Sequence, residues 1–120
     1  MSCFLPVQQF TTDIAGSGTA SAAQSIESAN LPSDTNKYSR QARIFADVDA
    51  IVKFGGASVV ADRTVTTGAY VVDNFFHPGG NTEVYDLRPN QTHYSVVSSD
   101  GATAGVIKVG LGIGENKNSE

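Results

Sequence analysis

The sequence predicts an all-β protein: a jelly-roll-like antiparallel β-sandwich with an extended N-terminal arm. Three observations carry that expectation. Val and Ile greatly outnumber Leu, and β-branched side chains suit a pleated surface while losing χ1 freedom in a helix. No stretch carries the i, i+3, i+4, i+7 apolar stripe of an amphipathic helix. Short apolar runs recur between clusters of Gly, Pro, Asn and Asp, the punctuation of turns.

Taken in order, residues 1–14 read MSCFLPVQQFTTDI, with apolar side chains at Phe4, Leu5, Val7, Phe10 and Ile14. Residues 15–25, AGSGTASAAQS, are small and polar and can act as a connector. An apolar tip on such a tether suits a docking arm over residues 1–25. The competing reading is an ordinary first strand followed by a long loop. Residues 26–40 hold Pro32 and several turn formers, so an irregular connection is expected, turning near 33–36.

Residues 41–56, QARIFADVDAIVKFGG, commit most clearly to structure. Ala42, Ile44, Ala46 and Val48 share one face by period two; Gln41, Arg43, Phe45, Asp47 and Asp49 share the other. Beyond a turn near Asp49, Ala50, Val52 and Phe54 alternate with Ile51 and Lys53. This predicts a hairpin whose mainly charged outer face also carries Phe45 and Ile51, as core contacts or as a subunit contact.

Gly55 and Gly56 end that strand. Further strands are expected at 57–61, 69–72, 82–87, 92–97 and 103–113, with Phe75, Phe76 and His77 leading into a Pro-Gly-Gly-Asn turn. Asp100-Gly101 is a pair favoured in tight hairpins. The last strand sets Ile107, Val109, Leu111 and Ile113 on one face and Lys108, Gly110, Gly112 and Gly114 on the other, and bare glycines let another backbone or layer come close. About eight strands result, the number a jelly roll needs, over a domain of 26–115. Residues 116–120 form a polar tail, expected to fray.

A chain of 120 residues suits one domain with its own core. Net charge is −4 and the eight basic residues are scattered, which argues against nucleic acid as a partner. No apolar run approaches the length of a membrane span. A single cysteine, Cys3, allows no intrachain disulfide. The first positive side chain is Lys37, and Pro6, Gln8 and Gln9 interrupt the N-terminal apolar residues, so no cleaved signal peptide is expected.

Candidate chemistry is sparse. Residues 110–114, GLGIG, resemble the start of a dinucleotide fingerprint but lack the helix that must follow. Asp47, Asp49 and Asp62 could offer carboxylates to calcium, yet the six or more ligands calcium wants are not visible, and aspartates also build turns. His77, His93 and Cys3 do not have zinc-ligand spacing. No nucleophile elbow is present. Asn90-Gln91-Thr92 fits a glycosylation sequon that is incidental without a secretory signal. No catalytic residue, metal or cofactor is therefore expected. The aromatic residues could form a sugar-stacking platform, but strand and core roles are more economical, and there is no Trp.

The runs ARIFADVDAIVKFGGASVVA and AYVVDNFFHPGGNTEVYDLRPNQTHYSVVSSDGATAGVIKVGLGIGE resemble the small structural proteins encoded near the capsid gene of tailed bacteriophages. The likeness covers about residues 41–115. It implies a head decoration, or cement, protein with a jelly-roll-like fold. Such a protein binds the outer capsid surface as a dimer or trimer and clamps neighbouring major capsid subunits. Phe4, Leu5, Val7, Phe10 and Ile14 would dock on the capsid, and Phe45 and Ile51 would meet another subunit. No cofactor is implied. A carbohydrate- or receptor-binding module on a virion, or a tail component, is the alternative.

Overall fold

The computed structural model describes residues 4–26, 38–63 and 73–115. Residues 27–37 of the connection expected at 26–40, the turn near 33–36, the strand at 69–72, Cys3 and the tail at 116–120 lie outside the described residues, whereas 38–40 are already strand. All regular structure among the described residues is strand. In chain order these are β1 (Leu5–Ile14), β2 (Gln24–Ser25), β3 (Tyr38–Ala46), β4 (Ala50–Gly55), β5 (Asn74–His77), β6 (Thr82–Asp86), β7 (His93–Ser98) and β8 (Gly105–Glu115).

The strands form two four-stranded antiparallel sheets, β1-β8-β3-β6 and β2-β7-β4-β5. They pack face to face as a β-sandwich. The core is built from the period-two faces expected for 42–54 and 107–111. Ala42, Ile44 and Ala46 from β3, with Ile107, Val109 and Leu111 from β8, are fully buried against Ala50, Val52, Tyr94 and Val96 of the second sheet. Phe54, Phe75 and Tyr85 stack together at one side of this core, with ring centroids 4.6 to 6.2 Å apart.

Residues 41–56 are not a hairpin. β3 belongs to the first sheet and β4 to the second. Both strands face inward with their small apolar residues, so residues 47–49 arch between sheets. Asp47 Oδ1 accepts the Val106 N–H at 2.8 Å and Asp49 Oδ1 accepts the Gly79 N–H at 2.7 Å. The two aspartates thus fasten the arch to neighbouring loops. Phe45 and Ile51 consequently lie on opposite outer faces and share no surface. The same rule holds along the chain: among the described strands, only β4 and β5 are consecutive and paired with each other. Asp100-Gly101 does make a tight turn, with Gly101 at φ 71° and its N–H bonded to the Ser98 carbonyl at 3.3 Å. The strands on either side of that turn enter different sheets.

Residues 57–61 form no strand. After Gly55 and Gly56 the chain turns, the Val59 N–H bonding the Gly56 carbonyl, and Val59 and Ala61 are buried by packing rather than by pairing. Conversely, Asn74–His77 is strand β5, paired with β4, and the turn begins only at Pro78. Phe75 reaches the core and His77 is fully buried. His77 Nε2 lies 2.8 Å from the Asn81 carbonyl oxygen and donates to it.

Of the two readings of the N-terminus, a docking arm or an ordinary first strand, the structure has the strand: residues 5–14 are an edge strand paired along its length with β8, from Leu5 opposite Ile113 to Ile14 opposite Gly105. The register slips once, between Pro6 and Gln8. Proline lacks the N–H a ladder needs, and an edge strand tolerates such a bulge. Ile14 is in the core and Phe10 packs against it. Farther on, the Ser21 N–H bonds the Val96 carbonyl at 2.8 Å, so this connector is tied to the second sheet.

Candidate functional site

The two outer faces of the sandwich differ. On the second sheet, Ser95 and Val97 of β7 point away from the core yet are buried. Ser95 Oγ accepts the Ala61 N–H at 3.0 Å and donates to the Ser21 carbonyl at 2.7 Å. Val59 lies over Gly55, where a Cβ would meet its side chain at 3.0 Å. Residues 57–61 therefore cover much of that face. Ile51 is half-buried there, beside Phe76, which is 52% exposed.

The outer face of the first sheet is open. Down its middle runs β8, presenting Lys108, Gly110, Gly112 and Gly114. On one side β3 contributes Gln41, Arg43 and Phe45, opposite Gly112, Gly110 and Lys108 respectively. Beyond β3, the edge strand β6 adds Thr82, Val84 and Asp86. On the other side lies β1, with Phe4 just before it.

Each glycine of the central column has its own neighbour. At Gly112 a Cβ would sit 2.5 Å from both the Leu5 carbonyl oxygen and Phe4 Cζ, so the Phe4 ring occupies the space a side chain would take. At Gly114 a Cβ would sit 2.5 Å from Gln41 Oε1. Gln41 is itself buried; its Nε2 donates to Asp86 Oδ1 at 2.8 Å, and its Oε1 has no partner among the described residues. At Gly110 the nearest atoms to a Cβ would be 3.7 Å away, at ordinary contact distance. Over Gly110 lies a groove of roughly 560 Å³, bounded by Phe4, Val7, Gln9, Arg43, Phe45 and Lys108 among others, and no acidic residue among the described ones lines it.

The seven sequence candidates therefore separate. Phe4, Val7 and Phe45 meet at this groove. Leu5 is exposed on the edge strand, Phe10 and Ile14 serve the core, and Ile51 lies on the opposite sheet. Arg43, Lys108 and Gly110 were missed as site residues. For Lys108 and Gly110 the signal was the alternation of one lysine with bare glycines on the outer face of the last strand.

No group of three or more His, Cys, Asp or Glu converges among the described residues. Asp100 accepts from Thr103 Oγ1 and from the backbone N–H groups of Ala102 and Thr103, which hold its carboxyl well below the usual carboxylate range. That is turn chemistry at an exposed loop.

No known protein-family profile matches the chain, and no curated protein matches it. Among solved structures, a chain from Bacillus endospore appendages, which form a novel family of disulfide-linked pili, resembles it. The TM-score is 0.51 and the identity 9%, covering 97% of this chain and 90% of that one. The likeness is one of fold.

Proposed function

We propose that the protein is a structural assembly subunit, specifically a capsid decoration protein. It would reside on the outer capsid surface of a virion, after synthesis in the host cytoplasm, and clamp neighbouring major capsid subunits. The observation that carries this reading is the asymmetry of the sandwich. One outer face is covered in part by residues 57–61, with Phe76 left exposed, while the other keeps an open groove with apolar walls and two cations. A face of this kind suits binding to another macromolecule rather than chemistry on a small substrate.

The nested pairing of β1 with β8, β2 with β7, β3 with β6 and β4 with β5 supports the jelly-roll form of the fold. A rigid sandwich that binds only the expanded lattice stabilises it by mass action. Association into a dimer or trimer adds avidity where subunit spacing matches the lattice. No step in this role requires a cofactor.

A second reading, a filament subunit, is favoured by the fold likeness to the endospore appendage protein. One experiment separates the two. Purified protein is mixed with expanded and unexpanded capsid shells, sedimented, and viewed by negative-stain electron microscopy. Saturable co-sedimentation with expanded shells is the expected result. No co-sedimentation, with filaments growing from the protein alone, replaces the capsid reading by the filament one.

A further inference from the structure

We propose that the groove over Gly110 docks an acidic segment of a partner protein, which lays an apolar side chain on the glycine floor and sets a carboxylate between Arg43 and Lys108. This rests on the assembly reading above and names the surface and the chemistry that would perform it.

The floor comes first. Gly112 and Gly114 are glycines for reasons internal to the fold, since Phe4 and Gln41 fill the spaces above them. Gly110 has no such reason. A methyl group there would meet only ordinary contacts, and its φ is not in the left-handed region. Glycine weakens a strand interior, so a bare position with room for a side chain marks a close approach by something else. The Phe4 ring on Gly112, one position along the same face, shows what fits this glycine column: a flat apolar group.

Charge then selects the partner. The chain carries −4 overall, yet two of its eight basic residues stand side by side here. Arg43 lies opposite Gly110 and Lys108 opposite Phe45, a diagonal cross-strand pair about 7–8 Å apart on the same face. Among the described residues neither side chain has a hydrogen-bond or ion-pair partner. A carboxylate placed between them accepts from the guanidinium fork and the ammonium together. Two cations between aromatic walls are too few for a nucleic-acid backbone. A two-fold contact centred on this pair would bring the four cations of two copies together. A different, acidic protein meets neither objection.

The test is an amide NMR titration of the full chain with the peptide acetyl-Asp-Phe-Asp-amide, using acetyl-Lys-Phe-Lys-amide as control. The expected result is a saturable shift of Arg43, Phe45, Lys108 and Gly110 amides with the acidic peptide only, weakening as salt rises. Gly110→Val, which fills the floor, and the exposed-site change Lys108→Glu should each weaken binding about tenfold or more with the remaining spectrum preserved. No saturable shift up to about 10 mM peptide, shifts elsewhere, or equal binding of the basic peptide overturns the proposal. So does displacement of the peptide by a free hexuronate at lower concentration, or a wild-type dimer that Gly110→Val dissociates. Shell co-sedimentation separates the two readings. If Gly110→Val co-sediments as well as wild type, the groove assignment falls and the assembly reading stands. If wild type does not co-sediment but the peptide titration succeeds, the reverse holds.

Discussion

Thr12 Oγ1 and Tyr94 OH lie 2.6 Å apart, joining the first strand of one sheet to the central strand of the other through the sandwich interior. Tyr94 is fully buried. Burial pushes its phenol above the ordinary value, and the Thr12 bond offsets only part of that rise. A polar residue thus occupies an inward position of β1 without leaving an orphaned hydroxyl.

Tyr94→Phe should cost about 0.5–1.5 kcal/mol in urea unfolding at neutral pH. The alkaline limb gives a sharper check. The neutral phenol is favoured in the folded state, so its contribution is complete below the unfolded value near 10 and lost as pH rises toward the folded one. Wild type should therefore lose stability above pH ~10 more steeply than Tyr94→Phe does. Parallel alkaline limbs would contradict this.

The glycine column offers a paired test. At Gly112 a Cβ would collide with the Leu5 backbone and the Phe4 ring, whereas at Gly110 it would not. Gly112→Ala should destabilise by about 1–3 kcal/mol. Gly110→Ala should be neutral or stabilising by about 0.4–1 kcal/mol, through the unfolded chain. Thermal melts of the two variants side by side decide it.

Removing residues 1–14 should abolish cooperative unfolding, because β8 would lose its partner on one side and the core would lose Ile14. The milder Ile14→Ala should cost about 2–4 kcal/mol in denaturant titrations. A docking arm outside the fold would leave both melts unchanged.

Asp47 and Asp49 should behave as loop fasteners rather than metal ligands. Asp47→Ala and Asp49→Ala each remove one acceptor from a backbone N–H and should cost about 0.5–1.5 kcal/mol. Millimolar calcium should leave the wild-type melting temperature where it was, since only a ligand that binds the folded state raises it.

Faces were legible in the sequence; partners were not. Period two placed Ala42, Ile44, Val52, Phe54, Ile107 and Val109 inward, as observed. That period says which way a side chain points but nothing about which sheet a strand joins, so β3 and β4 read as a hairpin, and Phe45 and Ile51 as neighbours. β1 was obscured because its inward positions include a polar residue, Thr12, whose pairing with Tyr94 lies 82 positions away. Residues 57–61 have strand-like composition, but Val59 and Ala61 gain burial by lying on a sheet face. At the groove, the bare outer face of β8 was visible in the sequence. That Phe4 and Gln41 fill two of its gaps and leave the third depends on the tertiary placement of distant segments.

The nested pairing bears on biosynthesis. β8 sits between β1 and β3, and Leu5 lies opposite Ile113. A nascent chain therefore cannot assemble the first sheet until residue 115 has left the ribosome. Until then β1 waits without its strand partner, while β3 can already pair with β6 and β4 with β5. Long-range closure of this kind is slow and exposes unpaired strand edges to aggregation. Yield in a heterologous host should thus depend on how well chaperones shield β1 during the interval before β8 arrives.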